Sequence, residues 1–115
     1  MKYFLLIYQN EPALEAARQA DRDQVHAAYG AYTEALQKAG ILRGGDALER
    51  SSIATTVRVA NGKTQVLNGP YAETREQLGG YYLIDVPDLD TALSWAARCP
   101  GASHGAIEVR PLRPM

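Results

Sequence analysis

The sequence has very little cysteine and no excess of charge of either sign. Cys99 is its only cysteine, so an internal disulfide is excluded, as is usual in a reducing compartment. Its 12 basic and 13 acidic side chains give a net charge of −1 and form no basic run, whereas nucleic acids and anionic membrane surfaces select a positive patch. We therefore expect a cytoplasmic protein without a nucleic-acid partner and without a membrane partner.

Long hydrophobic runs and histidines are also scarce. The apolar run at 3–8 stops at Gln9 and is too short to span a membrane, so we interpret it as a β-strand. His26 and His104 are the only histidines, and they lack the spacing of a metal-binding pair. We expect no metal and no other cofactor. With 46% hydrophobic residues, the chain is predicted to form one domain, 1–115, with its own core.

Hydrophobic periodicity predicts an α+β fold in the order strand, helix, strand, inserted hairpin, strand, helix, strand. A polar connector with Pro12 follows the first strand. The first helix is predicted to begin at a capping box formed by Asp21 and Gln24 and to end at Gly40, and Asp88 is predicted to cap the second. The predicted strands are 2–8, 41–48, 54–60, 63–67, 81–86 and 106–112.

The inserted hairpin is predicted from its turn. Asn61-Gly62 is the pair that best accepts positive φ angles at both centres of a type I′ turn. Counting outward from the turn places Val57 opposite Val66. The hairpin therefore has one apolar and one polar face, and we expect it to be half exposed.

One layer of the predicted fold is missing. Two helices cover one face of a sheet, yet the strands at 3–8 and 81–86 are apolar on both faces. A second copy of the same sheet would bury the remaining apolar face, and a two-fold dimer is the commonest closed assembly. We predict a homodimer whose sheets pack face to face.

The segment Asn68-Gly69-Pro70-Tyr71-Ala72-Glu73-Thr74-Arg75-Glu76 resembles the signature Asp-Gly-Pro-Phe-Ala-Glu-Thr-Lys-Glu of the YCII-related (DGPF-domain) family. The similarity covers nearly the whole chain, including 28–34, 85–90 and 108–111. It implies a ferredoxin-like βαββαβ fold, here with an inserted β-hairpin, that pairs into a dimeric α/β barrel. Most members of that family lack an assigned activity, and some accompany sigma factors.

The resemblance also bears on catalysis. The wider YCII group resembles enzymes built around a His on the first helix and an Asp after the second, and these positions fall here at Tyr29 and Cys99. A phenol with a pKa near 10 and a thiol with a pKa near 8.5 cannot repeat an imidazole–carboxylate pair at neutral pH. His26, one turn before Tyr29, is a partial substitute with a different geometry.

The candidate site residues come from the first helix, the motif, the strand 81–86, the last loop and the last strand. Glu73 and His104 are the candidate catalytic residues, for proton transfer. The plainer interpretations are that Glu73 lies at the start of a helical turn capped by Thr74 and Gln77, and that His104 is a solvated loop residue. The candidate ligand-binding residues are Tyr29, Asn68, Tyr71, Tyr82, Glu108 and Arg110.

Three of the ligand-binding candidates also have structural interpretations. Asn68 stands where the family signature has Asp, and it favours an Asx-type turn before Gly69. Glu108 and Arg110 share one face of the last strand, where they either line a cavity or form an exposed pair of little energetic value.

Two functions follow from these residues and from what the family resemblance implies. The first is a homodimer that binds a small polar or aromatic molecule in a cavity at the dimer interface, with acid/base chemistry by Glu73 or His104. The second is a non-catalytic dimerisation or regulatory module of the sigma-factor-associated type. The many tyrosines, seven in all, favour the first, because buried phenols require hydrogen-bonding partners.

Overall fold

The computed structural model describes residues 1–114 and contains six strands and three α-helices within them. The elements are β1 (Lys2–Gln9), α1 (Glu11–Ala16), α2 (Gln19–Lys38), β2 (Leu42–Ala47), β3 (Thr55–Ala60), β4 (Lys63–Asn68), β5 (Gln77–Asp85), α3 (Leu89–Arg98) and β6 (Ala106–Pro111). Short 3-10 turns lie at Ser51–Ile53 and Pro100–Ser103. The predicted α+β class and the predicted order of the main elements are confirmed.

The four main strands form one antiparallel sheet in the order β2-β5-β1-β6. This order is compatible with the ferredoxin-like fold, because the first and third strands of the βαββαβ unit lie at the centre. The strands β3 and β4 form a separate two-stranded sheet, inserted between the second and third strands of that unit. Within residues 1–114, every helix is too short or too polar to traverse a lipid bilayer.

The core lies on one face of the four-stranded sheet. Alternate residues of β1 point to that face, and Leu5 is fully buried against Leu36 of α2 and Ile84 of β5, which are also fully buried. Ala92 and Ala96 bring α3 into the same cluster. Both long helices therefore cover one side of the sheet.

The opposite face carries a second apolar layer. Leu6 pairs with Tyr81 and Phe4 pairs with Leu83 across β1 and β5, and all four are half-buried. The Phe4 and Tyr81 rings meet edge to face with their centroids 5.7 Å apart. Since α2 and α3 pack on the other side, this uncovered sheet face is the surface on which the predicted dimer would form.

The hairpin turn and register agree with the prediction. Asn61 and Gly62 have φ angles of 51° and 75°, and Val57 lies opposite Val66. The hairpin is more exposed than predicted, because the valine face is uncovered: Val57 and Val66 are 59% and 61% exposed.

The beginnings of the two N-terminal helices differ from the prediction. The connector with Pro12 contains the short helix α1, whose N-cap Asn10 accepts a hydrogen bond from the Ala13 backbone N–H at 3.0 Å. Proline is tolerated in a first turn because its missing N–H would have no partner there. The helix α2 begins at Gln19, so the predicted capping box at Asp21 is wrong. Asp21 lies in the first turn, where a carboxylate is favourable.

The predicted helical turn at Thr74 is also wrong. Residues 70–76 form no helix, and β5 begins at Gln77, which pairs with Gln9 of β1. The Gln77 side chain donates to the Thr74 carbonyl oxygen at 2.6 Å. Strand pairing therefore outweighs the local spacing typical of a capping box.

Candidate functional site

A cleft of about 690 Å³ lies between α1, the first half of α2 and the 100–103 turn. Its apolar lining includes Ala13, Leu14, Val25 and Pro100. The cleft lies on the helix side of the sheet, because most of its lining belongs to α1, α2 and the 100–103 turn, with Gln9 at the end of β1. The surface available to a small molecule in the cleft is mostly apolar, with a few polar groups around it.

Two imidazoles and one phenol supply the chemistry of the cleft. His26 lies on α2, one turn before Tyr29, and His104 follows the 100–103 turn; all three line the cleft. Both histidines are exposed, whereas Tyr29 is half-buried. Histidine is the side chain that most often serves as a general acid or base, so the cleft holds two groups suited to acid/base work.

Tyr29 is held by a close approach to the 100–103 turn. A Cβ atom on Gly101 would lie 2.6 Å from the Tyr29 hydroxyl, so the turn needs glycine at that point. Burial raises the pKa of Tyr29, and the neighbouring Cys99 thiol raises it further. The phenol is therefore neutral at physiological pH and can donate a hydrogen bond, but it cannot act as a base.

The other phenols on the helix side have partners inside the protein. The hydroxyl oxygens of Tyr82 and Thr33 are 2.7 Å apart, and Tyr32 donates to the Trp95 carbonyl oxygen at 2.6 Å. Burial raises the pKa of Tyr82. Tyr82 thus belongs to the core between sheet and helices, and it does not line the cleft.

Glu108 and Arg110 lie on the uncovered sheet face, across the sheet from Tyr82. Tyr8 donates to Glu108 Oε1 at 3.1 Å, and Arg110 Nε is 4.0 Å from Glu108 Oε2. Burial and then the Glu108 carboxylate raise the pKa of Tyr8. In a single chain, the sheet therefore separates these predicted ligand residues from those on the helix side.

The loop that carries the family motif, residues 68–76, is the third location of predicted site residues. Asn68 is the last residue of β4, and Tyr71 and Glu73 follow it; all three are exposed. Tyr71 is 76% exposed and its ring lies 5.0 Å below the Arg58 guanidinium. None of the three lines the cleft.

Backbone contacts close this loop. The Gly69 N–H donates to the Ala54 carbonyl oxygen at 2.6 Å, and the Thr56 hydroxyl donates to the Gly69 carbonyl oxygen at 2.9 Å. Gly69 has a φ of 107°, which L side chains rarely adopt. The glycine conformation and these two bonds define the bend after Asn68.

The structure thus brings two of the eight predicted site residues, Tyr29 and His104, into one cleft, together with His26. Sequence prediction does not place Asn10, Asp21 and Arg22, which also line the cleft. The helix-start signal Asn10-Glu11-Pro12 could have located α1 and so one wall. Within residues 1–114, no three His, Cys, Asp or Glu side chains are grouped to hold a metal ion.

The family model described as the YCII-related domain matches residues 1–115. The chain belongs to the YCII-related family. It is also 39% identical over 114 residues to an uncharacterized protein of Rhizobium meliloti (strain 1021), an alignment that covers 97% of this chain and 92% of that protein. The resemblance inferred from the motif is confirmed, and it carries no assigned activity with it.

The YCII-related chain has a distinctive pair where the resemblance implies His and Asp. Cys99 is only 2% exposed. Burial raises the pKa of its thiol, while the Gly101 backbone and the Tyr29 hydroxyl act in the opposite direction. The pKa of Tyr29 is raised as well. Both groups are protonated at neutral pH, so they form a packed neutral pair and not an acid/base pair.

We expect Cys99 to be nearly inert towards thiol reagents in the folded protein. Its burial and raised pKa both limit the exposed thiolate, so its reaction with a chromogenic disulfide at pH 8 should be roughly 100-fold slower than in guanidinium chloride. Ala97→Cys in a Cys99→Ala background is the control, because Ala97 is exposed on the same helix. Equal rates at the two positions would contradict the packed state of Cys99.

Proposed function

We propose that this YCII-related protein binds a small aromatic or largely apolar molecule with one polar end in the cleft between α1, α2 and the 100–103 turn. His26 or His104 exchanges a proton with the bound molecule, and the Tyr29 ring forms part of the wall against which it packs. The observation that carries this proposal is the convergence of both histidines of the sequence on one apolar cleft.

The size and lining of the cleft support the proposal. Small-molecule sites are typically clefts of about 300–1,000 Å³, lined by apolar groups with a few placed polar groups. The cleft of about 690 Å³ lies inside that range. Arg22 and Asp21 at its wall add charged groups on which a polar end would be oriented.

The homodimer remains part of the proposal. The uncovered sheet face, with Phe4, Leu6 and Leu83, supports it, because a packed second sheet would remove this half-buried layer from water. Glu108 and Arg110 would then lie within the interface. The cleft itself lies on the other side of the sheet and is complete in one subunit.

The two histidines give a direct test of the cleft. We expect fragments that carry one aromatic ring and one carboxylate, amide or hydroxyl group to shift the imidazole proton resonances of both His26 and His104 in NMR spectra. Assignment follows from His26→Gln and His104→Gln. Ala13→Trp, which places an indole in the cleft, should abolish the shifts, whereas Ala97→Trp on the outside of α3 should not.

Two results of this NMR experiment would contradict the proposed binding function. If no fragment moves either imidazole resonance, or if Ala13→Trp leaves the shifts unchanged, the cleft is not a binding site. The alternative function, a non-catalytic dimerisation or regulatory module, would then stand. It is favoured by one observation, the neutral Tyr29–Cys99 pair at the positions where the family resemblance implies an acid/base pair.

A further inference from the structure

The β3–β4 hairpin, residues 55–68 and here called the arm, presents an apolar face that the other residues of 1–114 leave uncovered. Val57, Val59 and Val66 are 59%, 69% and 61% exposed. Val57 pairs with Val66, and Val59 lies two residues along the same strand, so all three side chains lie on one face of the arm.

The arm stands away from the body of the protein. Its strands pair only with each other among residues 1–114 and make no extensive contact with another helix or strand there. The radius of gyration is 16.1 Å, whereas a compact domain of this length has about 13 Å. An isolated two-stranded hairpin is marginally stable in water, so the arm needs a surface to pack on.

The other face of the arm carries its charged side chains together with Leu67, which pairs with Thr56 and is 55% exposed. Arg58 and Lys63 share this face, since Arg58 and Ala60 alternate along β3 and Ala60 pairs with Lys63. The Arg58 guanidinium lies over the exposed Tyr71 ring. The charges thus remain on the solvent side, and the uncharged valine face fits an apolar protein surface and not a nucleic acid or an anionic membrane.

We infer that the arm packs its valine face on a second copy of this chain. This inference rests on the homodimer of the proposed function and names the element that completes it. A two-fold dimer gives each arm an identical partner surface, so no unpaired arm remains.

Interface area supports a second copy as the occupant. Strands of the observed lengths give the uncovered sheet face an area of about 470 Å², below the about 800 Å² per partner of a standard interface. The valine face of the arm adds about 200 Å² to the surface that each subunit would bury. The surface covered by the partner's arm adds about another 200 Å². Sheet and arm together therefore reach the size of a stable dimer interface.

The base of the arm is held in place by the body. The 3-10 turn Ser51–Ile53 precedes β3, and Glu11 of α1 accepts hydrogen bonds from the Ser51 backbone N–H at 2.8 Å and from the Ser51 hydroxyl at 2.7 Å. Ile53, in the same turn, is 59% exposed and extends the apolar surface towards the body. An arm with an anchored base presents its valine face in one direction, as a specific interface requires.

The test is the dimer dissociation constant of a variant that changes only the valine face. Val57→Thr, Val59→Thr and Val66→Thr together keep the β-branched shape that strands favour and place hydroxyl groups on that face. We expect sedimentation equilibrium to show a Kd raised at least about ten-fold. The matched control, Arg58→Thr with Gln65→Thr on the polar face, should change the Kd less than about two-fold.

Amide hydrogen exchange of the arm gives a second readout. In the unaltered protein, the amides of 57–66 should exchange more slowly above the Kd than below it. A dimer whose Kd and arm exchange are both unaffected overturns the inference for the arm alone. An unaltered chain that sediments as a monomer at every concentration overturns the proposed dimer and, with it, the arm contact.

Discussion

Leu6→Lys is expected to yield a folded monomer and to raise the dimer Kd by at least about 100-fold. Leu6 lies on the uncovered sheet face, opposite Tyr81 on one side and Glu108 on the other. In the monomer the new ammonium group faces water and pairs across the strands with the Glu108 carboxylate. In the dimer two such groups would be buried, and each costs several kcal/mol.

Sedimentation equilibrium measures this effect, and circular dichroism confirms that the fold is retained. The control is Leu93→Lys on α3, because Leu93 is 46% exposed and its helix packs on the other side of the sheet. It should leave the Kd unchanged. If Leu6→Lys dimerises as tightly as the unaltered chain, the face-to-face sheet dimer is refuted.

Leu5→Ala should destabilise the monomer by about 3 kcal/mol, within the range of about 2–5 kcal/mol measured for buried leucines. Leu5 is the neighbour of Leu6 in sequence but points to the helix side, where it has no exposed surface and packs in the core with Leu36 and Ile84. Truncation removes buried methyl groups and leaves a cavity that the sheet and helices cannot fill without strain.

Urea unfolding of Leu5→Ala is best measured in the Leu6→Lys background, where dimerisation does not contribute. The comparison is Leu14→Ala in the same background. Leu14 lies on α1 and is 37% exposed, so its truncation should cost less than about 1 kcal/mol. A loss below about 1 kcal/mol for Leu5→Ala would show that the core is not centred on the helix side of β1.

The features that could be predicted from the sequence are those encoded by neighbouring residues. The alternation of Leu5 and Leu6 between two apolar faces follows from the period of a strand. The hairpin register follows from Asn61-Gly62, whose backbone conformation the structure confirms. Asp88 accepts a hydrogen bond from the Thr91 N–H at 2.8 Å, as predicted for the N-cap of α3.

The features that could not be predicted depend on distant residues. The helix α1 has six residues, too few for a periodic pattern to show, and the cleft joins it to the 100–103 turn from the other end of the chain. At Gln77, pairing with Gln9 determines the structure, and the local spacing around Thr74 does not reveal this. The predicted ligand residues are divided between the two faces of the sheet. This division could be assigned only from the register of β5 and β6 with β1.

The placement of the cleft on the helix side has a consequence for how two subunits would work together. With the two sheets face to face at the centre of the proposed dimer, the clefts would lie on its two outer sides and would both be open to bulk solvent. A small molecule could then bind to or leave either subunit without dissociation of the dimer.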